Sequence, residues 1–232
     1  MKWDVAVGKV LGDDAHRFTL DVAFRSDVAR LVLFGPSGAG KSLTLKAIAG
    51  LLRPDAGHVR VDAETLFDRA GGIDVPAHAR RFGYVFQEYA LFPHLTVRQN
   101  IAFGLTLGLR NPARDAAGPA IDRWLDTLEL RPFAASYPDQ LSGGQRQRAA
   151  LARALAAEPR ALLLDEPFAA LDTALRERLR AELKELQARF EVPIVLITHD
   201  PADVEIFADE VIQMDGGKVL AIAISRAGSA CA

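Results

Sequence analysis

The stretch Gly35-Pro36-Ser37-Gly38-Ala39-Gly40-Lys41-Ser42 constrains this chain more than any other. It follows the apolar run Leu31-Val32-Leu33-Phe34 and leads into Leu43-Thr44-Leu45-Lys46-Ala47-Ile48-Ala49, so it reads as strand, glycine-rich loop and helix. The pattern GxxxxGK[ST] needs these residue types for physical reasons. Glycines let successive backbone N–H groups turn inward around phosphate oxygens, and a helix N-terminus adds the positive end of its dipole. Lys41 brings a point charge to the outer phosphates, and Ser42 offers a hydroxyl to Mg²⁺. A glycine turn beside a solvated lysine accounts for the residues singly but not for their strand–helix setting. The stretch therefore predicts a site for a nucleoside triphosphate.

The rest of the chain supplies the expected framework. Period-two patterning in Val5-Ala6-Val7 and Phe18–Phe24, bounded by Gly12-Asp13-Asp14 and Ser26-Asp27, predicts antiparallel strands ahead of the loop's own strand. Arg53–Gly57 reads as a turn, His58–Val61 as a short strand, and 68–79, with Gly71-Gly72 and Pro76, as loop. Phe82–Phe86 reads as a strand ending at Gln87. From Glu88 the pattern turns helical, punctuated by five prolines, with Ile121, Trp124, Leu125 and Leu128 on one face. Arg160–Leu164 and Pro193–Ile197 are continuous apolar runs of the kind buried in a parallel sheet. Between them Leu175, Leu179, Leu183, Leu186 and Phe190 mark the apolar stripe of a helix, followed later by a helix near Pro201–Ala208. Val211–Met214 and Val219–Ile222 close the chain as a hairpin. The expected fold is an α/β P-loop NTPase core, RecA-like, formed by 1–87 and 157–232, with N-terminal antiparallel strands and an inserted α-helical subdomain at 88–156.

Composition narrows the partners. A net charge of −2 gives no broad basic footprint for nucleic acid. The single cysteine, Cys231, forms no disulfide within one chain, which suits a reducing compartment. No run of about 20 apolar residues is present, and Met1–Val5 lacks the apolar core of a signal peptide, so any membrane role is expected to pass through a partner.

Three apolar strands end in polar residues: Phe34 at the phosphate loop, Leu164 at Asp165-Glu166, and Ile197 at Thr198-His199-Asp200. Ligands of open α/β sheets bind beyond the carboxyl ends of the strands, so these groups should share one site. Asp165 fits the carboxylate that holds Mg²⁺, Glu166 the acceptor of a proton from an attacking water, and His199 a contact to the terminal phosphate. Leu141-Ser142-Gly143-Gly144-Gln145 adds a second kind of site. Ser142 as N-cap and Gln145 three residues later form a capping box, and the two glycines expose backbone N–H groups to an anion. Spacing alone leaves open whether this stretch completes its own chain's pocket or another's.

With these residues in view, the sequence resembles the ATP-binding subunit of ABC transporters from residue 3 to about 222. GPSGAGKS at 35–42, Gln87, LSGGQ at 141–145, LLLDE at 162–166, Leu171-Asp172 and His199 stand in the family's order. The resemblance implies a head-to-tail dimer that binds ATP and Mg²⁺. Each ATP lies between one copy's loop at 35–42 and the other's Ser142, Gly143, Gly144 and Gln145. Gln87 is implied to join Ser42 and Asp165 around Mg²⁺ and to link that region to a transmembrane partner. Glu166 is implied as general base, His199 as γ-phosphate sensor and Asp172 as a contact across the dimer. The implied place is the cytoplasmic face of the membrane, peripheral through permease subunits, with a solute-binding protein as an indirect partner. Tyr89–Leu95 is an apolar and aromatic patch suited either to a permease helix or to the subdomain's own core.

A finer resemblance, in Gly72–Pro76, Arg80–Glu88 and Leu91–His94, is to ATPases of oxyanion importers, molybdate most of all. Importers of sulfate, iron, polyamines and sugars share much of this wording. Two departures stand out: the nearest equivalent of the aromatic expected to stack on adenine is Leu11 beside Gly12, with His16 and Phe18 as other candidates, and Ala169-Ala170 precedes Leu171 where a serine is common. The stop at Ala232 also leads us to expect no regulatory β-domain. Non-transport ABC ATPases carry a long coiled-coil insertion or a second ATPase domain, and a small-molecule P-loop kinase leaves LSGGQ unexplained.

Overall fold

A computed structural model describes residues 1–12, 17–105, 111–169, 171 and 173–224. His16, Ala170, Asp172 and Cys231 lie outside the described residues. Strands β1 (Trp3–Leu11), β2 (Phe18–Ser26), β4 (Ala56–Val61), β5 (Glu64–Asp68) and β6 (Ile73–Asp74) form an antiparallel wing. The parallel part contains β3 (Arg30–Phe34), β7 (Phe82–Val85), β8 (Ala161–Asp165), β9 (Ile194–Thr198) and β10 (Glu210–Asp215), with β11 (Lys218–Ile224) antiparallel to β10. Among the described residues all eleven join one sheet in the order β6-β5-β4-β1-β2-β11-β10-β3-β9-β8-β7.

Alternation along the central strands divides the core in two. Leu31, Leu33, Leu163, Val195 and Ile197 face helix α1 (Lys41–Ala49) and the antiparallel wing. Val32, Leu162, Leu164, Ile194 and Leu196 face the remaining helices. All five residues of β8 and of β9 are buried, as continuous apolar runs covered on both faces require. Helix α5 (Thr173–Phe190) buries only Leu179, Arg180, Leu183 and Leu186, one stripe of eighteen residues, while α6 (Pro201–Phe207) is capped by the Asp200 side chain.

Helices α2 (Val97–Phe103), α3 (Pro119–Thr127) and α4 (Gly143–Ala156) pack on one another. Ile121, Trp124, Leu125 and Leu128 are buried, with Trp124 against Phe190 of α5 at 4.9 Å between ring centroids. Asn100, fully buried, bonds both the N–H and the carbonyl of Phe92 and thereby pins the segment before α2. Tyr89 and Leu95 are core residues, whereas Pro93 and His94 are exposed, so the patch at 89–95 is partly the subdomain's own core and partly open surface.

Segment 68–79 differs from the expectation. Asp68 ends β5, Ile73–Asp74 is β6, and Ala77–Arg80 is a 3-10 turn. Buried Arg80 organises this stretch by donating to the carbonyls of Val75, Ala47 and Ile48. Glu185 and Arg189, spaced for an i,i+4 pair, make no ion pair among the described residues; the Arg189 guanidinium lies over the Phe190 ring instead.

Candidate nucleotide site

The site forms where β3, β9 and β8 end side by side. Residues 35–40 leave β3 and enter α1, with Gly38 at φ 82° and Gly40, the N-cap, at φ 93°. L-residues with side chains are strained in this left-handed region, and a Cβ on Gly40 would also approach Leu20 Cδ1 to 2.7 Å. The loop is braced from outside by the turn between β10 and β11. Gly217 N–H donates to the Ala39 carbonyl at 3.1 Å, and the Gly217 carbonyl accepts from Asp21 N–H at 2.7 Å.

Lys41 is 4% exposed. Its ammonium donates to the carbonyls of Gly35 at 2.7 Å and Pro36 at 2.8 Å, and lies 3.8 Å from Glu166 Oε1. Burial lowers the Lys41 pKa, and the carboxylates of Glu166 and Asp165 oppose that shift. The ammonium thus curls over the loop that a polyphosphate would fill, held by neutral carbonyls that an anion outcompetes.

Next to it, Ser42 Oγ donates to Asp165 Oδ1 at 2.7 Å, and Tyr84 Oη donates to Asp165 Oδ2 at 3.0 Å. Burial, and then the neighbouring Asp165 carboxylate, raise the Tyr84 pKa strongly, so the phenol stays a donor. His199 Nδ1 lies 3.3 Å from Glu166 Oε2, with His199 half exposed. Glu166 holds φ 46°, an uncommon conformation for a side chain with a Cβ, and its N–H bonds the Ile197 carbonyl at 3.2 Å. Behind His199, Asp200 accepts from Ala202 N–H and pairs with Arg180 at 2.6 Å, which together hold its carboxyl below the usual range.

A cleft of about 460 Å³ runs along the loop, bordered by Leu11, Phe18, Ser37–Leu43, Gln87 and Glu166. Leu11 and Phe18 thus line the same cleft as the glycine-rich loop. A second cleft, about 540 Å³, shares Ser42 and Gln87 with the first, is lined by Asp165, and opens toward Lys46, Tyr89 and Arg146. Gln87 stands on the wall between the two.

The structure brings together Gly35, Pro36, Ser37, Gly38, Ala39, Gly40, Lys41, Ser42, Gln87, Asp165, Glu166 and His199 around one end of the sheet. It does not bring Ser142, Gly143, Gly144 and Gln145 to that cleft. They start α4 as the capping box read from the sequence: Gln145 N–H donates to Ser142 Oγ at 3.3 Å, and Ser142 N–H donates to Gln145 Oε1 at 2.8 Å. A Cβ on Gly144 would approach Leu175 Cδ1 to 2.9 Å, so close packing of α4 on α5 explains that glycine without any ligand. Ser142 is exposed, leaving its end of the helix open to an external group.

Three further residues act on the site without having been singled out in the sequence: Tyr84, Gly217 and Arg153. Arg153, on α4, donates to the carbonyls of Tyr89 at 2.9 Å and Ala90 at 2.7 Å, two consecutive residues at φ 63° and 45° just after Gln87. Only the β7–β8 register gives Tyr84 a partner, and only the fold brings the other two to the loops that they brace.

Known proteins resemble this chain in sequence and in fold. Residues 24–169 match the family described as ABC transporter. A "Molybdenum import ATP-binding protein ModC" of Rhizobium johnstonii is 45% identical over 202 residues, 87% of this chain and 56% of that protein. A "Sulfate/thiosulfate import ATP-binding protein CysA" of Synechocystis is 47% identical over 189 residues, 82% of this chain and 51% of that protein. The chain thus spans about half the length of these relatives. An ATP-binding cassette solved as a dimer in a post-hydrolysis state with ADP and Pi superimposes with a TM-score of 0.80 at 30% identity, covering 97% of this chain and 99% of that one.

Proposed function

This chain belongs to the ABC transporter family, and on that premise we propose that it is the ATP-hydrolysing subunit of an ABC importer for molybdate or a related oxyanion. The observation that carries the catalytic reading is the grouping of Lys41, Glu166 and His199 within 4 Å contacts beside the glycine-rich loop. The backbone N–H groups of 35–42 and the Lys41 ammonium bind the phosphates. Glu166 takes a proton from the attacking water as its oxygen bonds the γ-phosphorus; the bond from phosphorus to the bridging oxygen breaks, releasing ADP and phosphate. His199 steadies the terminal phosphate and orients Glu166.

Ser42, Asp165 and Gln87 offer hydroxyl, carboxylate and amide oxygens, a hard donor set of the kind Mg²⁺ takes alongside phosphate oxygens. Bound there, the ion neutralises charge on the β- and γ-phosphates. We read 88–156 as the helical subdomain that presents Ser142–Gln145, and Asp172 as a contact between copies. The separation of Ser142 from its own cleft supports a head-to-tail dimer, because the capped helix start is exposed and lies away from the chain's own phosphate loop. ATP held between copies favours the closed pair, and hydrolysis removes that preference; only differential affinity for the two states can move the permease. Among the described residues no helix is long and apolar enough to cross a membrane. The proposed place is the cytoplasmic face, attached through permease subunits that receive solute from a binding protein.

Ser142→Arg tests the shared site. The variant loses a cap worth about 1 kcal/mol and stays folded. It is expected to bind fluorescent ATP as the parent does, while light scattering shows no ATP-dependent dimer; persisting dimers would contradict the arrangement. The cargo is tested in cells. Deleting the gene is expected to abolish uptake of labelled molybdate at nanomolar concentration and restoring it to recover uptake, whereas unchanged molybdate uptake with lost sulfate uptake would reassign the cargo.

A further inference from the structure

We propose that Tyr84 is a positioning residue that fixes the orientation of the Asp165 carboxylate at the Mg²⁺ site. The inference rests on the reading that Ser42 and Asp165 hold the ion. Parallel pairing of β7 with β8 places Tyr84 opposite Leu163, two residues before Asp165 on the same sheet face. Two residues of strand rise about 6.6 Å, which matches the reach of a phenol, so the hydroxyl arrives at the carboxylate from below. The ring is itself held, 4.4 Å between centroids from Phe86.

Asp165 is 4% exposed, and its two oxygens are divided between two donors: Oδ1 takes the Ser42 hydroxyl and Oδ2 the Tyr84 hydroxyl. A carboxylate held at both oxygens cannot rotate about χ2. Each oxygen accepts one hydrogen bond and keeps a second lone pair, so the carboxylate is held in orientation while still able to serve a cation beside Ser42. Mg²⁺ demands near-ideal octahedral geometry, so it gains from a carboxylate already held in place. Groups that orient metal-binding carboxylates typically contribute about 10- to 100-fold in metal affinity.

The test uses Tyr84→Phe, which keeps the ring and removes only the donor. Mn²⁺ is titrated into protein with saturating ADP and followed by the electron paramagnetic resonance of free Mn²⁺; Mg²⁺ is then added as a competitor. We expect Mn²⁺ and Mg²⁺ affinity to fall about tenfold, and ADP affinity without metal to stay at the parent value. Unchanged Mn²⁺ and Mg²⁺ affinity, or equal losses of ADP affinity with and without metal, would overturn the positioning role. Asp165→Asn is the control for the underlying reading. If that variant and the parent retain Mn²⁺ equally, the ion does not sit at Asp165 and both proposals fall.

Discussion

Glu166→Gln is expected to reduce steady-state ATP hydrolysis by about two to four orders of magnitude, the usual contribution of a positioned general base. Glutamine keeps the size and the planar end of the side chain but cannot take the proton from water. The supports of position 166 remain: its N–H still bonds the Ile197 carbonyl, and an amide oxygen still meets His199 Nδ1, 3.3 Å from the present carboxylate. Nucleotide affinity should therefore hold while turnover is lost, and single-turnover assays with labelled ATP separate the two. A variant hydrolysing at near the parent rate would remove Glu166 from the chemistry.

Lys41→Ala is expected to weaken ATP binding by one to two orders of magnitude. Hydrogen bonds to charged groups contribute about 1.5–3 kcal/mol, and each 1.4 kcal/mol is tenfold in affinity. The loss has two sources here. The ammonium is the buried cation beside the phosphate loop, and it also ties the carbonyls of Gly35 and Pro36 into the loop's shape. Ligand binding raises stability by RT ln(1 + [L]/Kd), so with ATP at about ten times the parent's Kd the rise in melting temperature should largely disappear in this variant. An undiminished rise would place the phosphates elsewhere.

The parts of this molecule that a reader of the sequence can find are those whose physics is local. Gly40, Lys41 and Ser42 declare a loop-to-helix turn, and Ser142 with Gln145 declares a capping box; both stand as read. Asp165, Glu166 and His199 were legible because buried parallel strands betray themselves as unbroken apolar runs, and their ends point one way. Strand β5 escaped notice because Glu64-Thr65-Leu66-Phe67-Asp68 is short and sits inside a glycine- and acid-rich stretch, its stability coming from pairing with β4. Tyr84 looked like one more apolar strand residue, since its partner depends on the β7–β8 register, which no local pattern states. Gly217 and Arg153 reach the site from 177 and 66 residues beyond Gly40 and Gln87, respectively, across contacts only the fold creates. Whether Ser142 faces its own phosphate loop is likewise a question of distance in space, and the exposed start of α4, away from the cleft, answers it for the single chain.

The central claim is that one nucleotide is enclosed by two copies of this chain, and mass in solution tests it most directly. Glu166→Gln, incubated with ATP and Mg²⁺ and passed through size exclusion with light scattering, should elute at twice the 25.1 kDa chain mass, and at 25.1 kDa when nucleotide is omitted. The same variant carrying ATP, yet holding the single-chain mass at every protein concentration up to saturation of nucleotide binding, would contradict the account.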